Sequence, residues 1–193
     1  MGRAAQRIGA CVAAAGICVI AACTSPPDTS KPVSVGAGGP SPSVDQAKVL
    51  AVFDGFMNTY VAAYDSPDPA NAEGKLSAFG GVSGGGVDVG LQSASSGHVA
   101  ATGKPSWTPP TVSLDLPHGQ ATATTCFDPA TWRTVNARTH RPAKPPASDG
   151  DGMPRPSYPG DASGAYVVVT TFYQDGSANW FVFATVAHRS TSC

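Results

Sequence analysis

Gly164-Ala-Tyr-Val-Val-Val-Thr-Thr-Phe-Tyr-Gln174 and Ser177-Ala-Asn-Trp-Phe-Val-Phe-Ala-Thr-Val-Ala187, separated by Asp175-Gly176, decide the fold class. Both arms are rich in β-branched and aromatic residues, which fit a pleated and half-buried surface. Asp-Gly is a dipeptide preferred in two-residue hairpin turns, whose central positions need positive φ. Such a turn predicts Thr171 opposite Trp180 and Val169 opposite Val182 on one face. Phe172 then meets Asn179, and Thr170 meets Phe181, on the other. Both faces carry bulky apolar groups. One must pack on a helix, and the other is left to a ligand, a partner or a loop.

Upstream of this hairpin, residues 138–163 hold Pro142, Pro145, Pro146, Pro154, Pro156 and Pro159, with basic residues first and acidic ones after. A loop this long in a compact domain is functional or disordered, and disorder is the expectation. Extended runs appear before it at about 98–103, 111–116, 120–127 and 131–137. In the third of these, Ala121, Ala123 and Thr125 alternate with Thr122, Thr124 and Cys126 across two faces.

The chain before residue 98 is helical in pattern. Ser43-Val44-Asp45-Gln46 reads as a capping box. Val49, Phe53, Phe56, Met57, Tyr60, Val61 and Tyr64 then recur at helical spacing, while Lys48, Asp54 and Asn58 fall on the other side. The stripe reads as core, with a pocket wall as the alternative. Pro67 ends the helix because it disfavours helical geometry at Ser66. Asp68-Pro69 marks a second helix start, with Leu76 and Phe79 facing the core. Residues 80–86 are glycine-rich but lack the Gly-Lys-Ser/Thr end of a phosphate loop. A third, weak helix is expected over about 87–96, where each glycine costs up to ~1 kcal/mol. Helices followed by a run of strands give an α+β domain. No internal repeat is present.

The first 42 residues are of another kind. Arg3 and Arg7 precede a run, Ile8 to Ile20, without a charged side chain, and Ala21-Ala22 follow. This is the order of a signal peptide. The alternative, a membrane-spanning helix, needs ~20 apolar residues, and Pro26-Pro27 blocks any extension. Ile20-Ala21-Ala22-Cys23 resembles the bacterial lipobox, which implies cleavage before Cys23 and a diacylglycerol thioether on its sulfur. The expected organisation is a lipoprotein signal peptide over 1–22, an anchor and flexible tether over 23–42, and one domain over 43–193. The lipid bilayer is the first expected partner, through acylated Cys23, and the expected place is the extracytoplasmic face of the cell membrane.

Charge and cysteine counting follow. Without Arg3 and Arg7, ten of the twelve Lys and Arg stand against thirteen acidic residues, a formal charge of −3. Nucleic-acid binding would need a clustered basic stripe on a basic domain and is not expected. Cys11 and Cys18 leave with the leader and Cys23 is taken by lipid, so Cys126 and Cys193 remain. Outside the cytoplasm such a pair most often forms a disulfide. Two free thiols, or a redox pair, are the alternative.

The chain resembles a group of secreted actinobacterial lipoproteins with a nuclear-transport-factor-2-like domain, a cone-shaped α+β fold. The residues that carry the likeness are the helix with Tyr60 and its Asp65-Ser-Pro-Asp-Pro69 stop. To these are added Thr122-Ala-Thr-Thr-Cys126-Phe-Asp128 with Trp132, and Asp175-Gly176 with Trp180 and Cys193. The resemblance implies a curved sheet wrapped around the long helix, with a cavity at its mouth, and no particular activity. Residues 80–90 depart from it. Enzymes of that fold place Asp, Tyr or His in the cavity, and the candidates here are Asp54, Tyr60, Tyr64 and Asp128, with Trp180 as a pocket wall. The four histidines are scattered, so neither a metal site nor a cofactor is expected. The leading expectation is a tethered binding or interaction module for an unidentified small molecule or envelope protein. The alternatives are a small isomerase- or cyclase-type enzyme acting on an apolar ligand, and a dimer joined through the outer sheet face.

Overall fold

In the computed structural model of the chain, residues 33–34, 41–80, 86–145, 153–161 and 164–193 are described. The expected leader, Cys23 and most of the expected tether lie outside these residues.

The long helix α1 (Val44–Ala63) starts where its sequence says it should. Ser43 Oγ accepts from the Gln46 N–H at 3.2 Å, and the Ser43 N–H donates to Gln46 Oε1 at 2.9 Å. Two of the donors that a helix start leaves unpaired are thereby satisfied. The apolar stripe from Val49 to Tyr64 is buried, while Lys48, Asp54 and Asn58 are exposed. Helix α2 (Pro69–Leu76) is capped by Asp68, whose carboxylate accepts from the Asn71 N–H at 3.3 Å. Helix α3 (Gly86–Ser96) forms in spite of its glycines. Leu91 and Ala94 are buried against the core, so packing overrides local propensity here.

Eight strands follow the chain: β1 (Val33–Ser34), β2 (Val99–Thr102), β3 (Ser106–Trp107), β4 (Thr111–Asp115), β5 (Gln120–Asp128), β6 (Arg133–Asn136), β7 (Ala165–Gln174) and β8 (Trp180–Ser190). Six form one antiparallel sheet in the order β1-β4-β5-β7-β8, with β3 also paired to β5, and β2 pairs with β6 separately. The chain is therefore α+β. Two residues of the segment expected to be tether belong to the sheet, since Val33 pairs with Val112 and Ser34 with Thr111. Strand β3 was not among the extended runs legible in the sequence.

Helix α1 packs against β4, β5 and β8. On β5, Ala121, Ala123, Thr125 and Phe127 are buried, and Thr122, Thr124 and Cys126 lie on the opposite face. Ala121 and Ala123 are small enough for α1 to lie close to the sheet. Burial of each large side chain along this seam, such as Phe53, Phe127 or Phe172, contributes about 1.5–3 kcal/mol.

The hairpin differs from its expected register. Gln174 pairs with Trp180 and Phe172 with Val182, so five residues, 175–179, make the loop. Asp175 accepts from the Ser177 and Asn179 N–H groups at 2.9 and 2.8 Å, and Ala178 takes the positive φ of 61°. Thr171 then pairs with Ala184, which leaves Phe183 as an extra residue, a β-bulge. Phe172, Trp180 and Val182 consequently face the core, whereas the two-residue turn would have set Phe172 and Val182 on opposite faces.

The proline-rich stretch also departs from expectation. Residues 138–145 are held by backbone bonds, among them Asn136 N–H to Arg141 O at 2.9 Å and Ala143 N–H to Thr134 O at 3.1 Å. Met153, Pro154 and Pro156 are buried, and Ser157 bonds to Thr134 in β6 at 2.7 Å and to Trp132 just before that strand at 2.9 Å. Residues 146–152 and 162–163 lie outside the described residues.

Candidate functional site

The interior at the C-terminal end of α1 is an aromatic cluster. The turn after β5 delivers Trp132, which is fully buried. Its ring meets Tyr60, Tyr64 and Phe127 edge-to-face at centroid distances of 6.2, 5.3 and 5.8 Å. Each such pair adds about 0.5–1.5 kcal/mol beyond its buried area. The Tyr60 hydroxyl donates to the Pro154 carbonyl at 2.7 Å and lies 3.4 Å from the Tyr64 hydroxyl. The indole N–H groups of Trp132 and Trp180 are buried and have no hydrogen-bond partner among the described residues. Each unpaired donor costs about 1–3 kcal/mol, so packing holds these two rings.

Of the residues expected to line a pocket, the structure brings two together. Tyr60 and Tyr64 stack edge-to-face at 5.4 Å. Trp180 is buried at the turn end of β8, opposite Gln174. Asp54 is exposed on the outer side of α1, next in sequence to the buried Phe53. Asp128 is exposed at the end of β5, where its carboxylate accepts from the Ala130 N–H at 2.8 Å and caps a turn. Tyr64 lines a cavity of about 30 Å³, together with Gly90, Ser93, Thr134 and Arg155. That is room for one or two waters, against ~300–1,000 Å³ for a site that takes an organic molecule. Gly90 fits because a Cβ there would stand 2.6 Å from the Tyr64 hydroxyl.

A second polar arrangement lies beside this cluster. Asp161, with 6% of its side chain exposed, receives Arg189 Nη2 at 2.6 Å and Arg155 Nη2 at 4.0 Å. The Arg189 guanidinium also sits 4.5 Å from the Tyr166 ring centre. Burial pushes the Tyr166 hydroxyl above its usual pKa, and Arg189 and then Arg155 partly offset that rise. This cluster borders an open groove of about 380 Å³, lined by Asp128, Arg133, Ser157, Arg189 and Cys193 among others. Cys126 and Cys193 meet there as a disulfide pair, with Cα atoms 5.5 Å apart. Sequence reading missed the ion cluster because its members come from the proline-rich segment and two strands, with no local spacing to announce them.

The outer face of β7 and β8 carries exposed apolar side chains. Tyr173 stacks on Phe181 at 5.4 Å, and Phe183 and Val186 are exposed beside them. Among the described residues, no three His, Cys, Asp or Glu side chains gather as metal ligands, and no helix is long and apolar enough to cross a membrane. No protein-family model matches the chain, and no curated protein matches it.

Proposed function

We propose that the chain is a lipoprotein whose leader over residues 1–22 is removed and whose Cys23 carries lipid. The domain then works on the extracytoplasmic face of the cell membrane as a binding or interaction module. Its architecture is read as a variant of the nuclear-transport-factor-2-like cone, with α1 lying against the inner face of the sheet.

The observation that carries the non-enzymatic part is the filled interior. Where an enzyme of this architecture would keep a pocket, Tyr60, Trp132 and Phe127 occupy the space, and Asp54 and Asp128 stand in solvent. Contact with a partner falls instead to the outer strip of Tyr173, Phe181, Phe183 and Val186, since exposed apolar patches mark interaction surfaces. The disulfide pair suits an oxidising compartment, and two acyl chains on Cys23 would anchor stably where one would be marginal.

Metabolic labelling with radioactive palmitate tests this reading. The wild-type chain should take up label and sediment with membranes, and Cys23→Ser should do neither. An unlabelled wild type that keeps its full length would overturn it.

A further inference from the structure

A run of exposed basic side chains lies on the loop that leaves β6. Asn136 closes this loop through its N–H, which donates to Arg141 O at 2.9 Å. Asn136 Oδ1 accepts from the Arg138 N–H at 3.1 Å, the Thr139 N–H at 2.9 Å and the Thr139 hydroxyl at 3.1 Å. His140, at the loop's far side, adopts a left-handed φ of 54°, and its N–H donates to Asn136 O at 2.9 Å. The backbone is thus fixed by its own hydrogen bonds.

This fixed loop presents basic side chains and no carboxylate. Arg138, His140, Arg141 and Lys144 are all exposed, and no Asp or Glu occurs in the sequence between Asp128 and Asp149. Arg138 and Arg141 make no ion pair among the described residues. Lys48, Arg155 and Arg189 do, with Asp45 and Asp161. Lys144 stands 5.5 Å from the Tyr158 ring centre, with Arg155 at 5.7 Å from the same ring. The Tyr158 ring attracts the two cations beside it, but among the described residues no carboxylate offsets the cluster of Arg138, Arg141 and Lys144. It is nonetheless set into a domain whose formal charge beyond residue 22 is −3. Such a patch gains energy only against an anionic surface.

We propose that residues 136–144 dock on the anionic headgroups of a lipid membrane, as an electrostatic contact beside the acyl anchor. The choice of a membrane rests on the tethered reading given above. Val33 in β1 lies ten positions after Cys23, a length of chain that reaches no more than about 36 Å even when fully extended. An anchor at Cys23 therefore keeps the domain close to a charged surface.

The test uses the full chain carrying Cys23→Ser, so that acylation plays no part. Its partition is measured by sedimentation onto vesicles of phosphatidylcholine alone and of phosphatidylcholine mixed with phosphatidylglycerol. The expected result is preference for the mixed vesicles, reduced roughly fivefold for each of Arg138→Gln, Arg141→Gln and Lys144→Gln, with binding to phosphatidylcholine unchanged. High salt should abolish the difference. The double variant Lys48→Gln, Lys75→Gln lowers the charge elsewhere and should change partition by less than twofold. Equal losses from both sets would mean that net charge alone acts, and would overturn the proposal. So would an absent preference for phosphatidylglycerol, as would result if Asp149 and Asp151 neutralise the loop. Release from vesicles by inorganic phosphate, at ionic strength matched with chloride, would point to a discrete phosphate site and equally overturn it. Acylation is read separately by palmitate labelling, so the two proposals fail independently.

Discussion

The hydroxyl of Tyr60, in the last turn of the core helix, donates a 2.7 Å hydrogen bond to the carbonyl of Pro154, 94 residues later in the chain. Helix α1 thereby holds down a segment whose composition promises no structure. Tyr60→Phe should lower stability by about 1–2 kcal/mol, because the buried Pro154 carbonyl loses this donor. Urea denaturation measures it, and limited proteolysis should cut the 146–156 region faster in the variant. An unchanged midpoint would show that water replaces the hydroxyl.

Gly90 offers a case where two effects oppose each other. Alanine is favoured over glycine within a helix by about 1 kcal/mol. The new methyl would stand 2.6 Å from the Tyr64 hydroxyl, and overpacking of that kind costs about 1–3 kcal/mol. Gly90→Ala is therefore expected to destabilise in the wild type and to stabilise in a Tyr64→Phe background. A double-mutant cycle by thermal unfolding reads the change of sign.

The pair Cys126–Cys193 closes a loop with a sequence separation of 67. In the chain-entropy model its removal costs roughly 4 kcal/mol. Cys193→Ser, or a reductant, should move the denaturation midpoint down accordingly and steepen the transition, because the uncrosslinked denatured chain exposes more surface. No response to reductant would mean that the two sulfurs are not bonded in solution.

Acid stability should depend on Asp175. The Asn179 N–H first, and then the Ser177 N–H and Asn179 side chain, hold its carboxyl below the usual aspartate pKa. A group whose pKa is lowered by folding stabilises the protein above its unfolded value, about 3.9, and that contribution fades as pH falls through the folded value. Wild type should therefore be more stable than Asp175→Asn at neutral pH, and the gap should close below about pH 3.9. A gap that persists in strong acid would refute the assignment to this carboxylate.

The parts of the fold that the sequence declared are those with short-range causes. Helix α1 was legible because Ser43 and Gln46 name its start and the stripe from Val49 to Tyr64 keeps one period throughout. The hairpin was legible as a hairpin, but not in register. Asp175 acts there as a side-chain acceptor inside a five-residue loop, and Asp-Gly looks the same in a two-residue turn. The fate of Met153, Pro154 and Pro156 was hidden because their burial depends on α1 and β6, far off in sequence. For the site, Tyr60 and Tyr64 were found because they share a helix face. Arg155, Asp161 and Arg189 have no common element and left no trace in any local pattern.

The additional residue at Phe183 acts like a single-letter frameshift along the final strand. Even-numbered side chains point inward up to Val182, and odd-numbered ones do so afterwards. Arg189, not His188, is thereby delivered opposite Tyr166 and within reach of Asp161. Were Phe183 instead to pair in regular register with Thr171, the even count would run on, His188 would stand opposite Tyr166, and an imidazole would face a site now occupied by a permanently charged guanidinium.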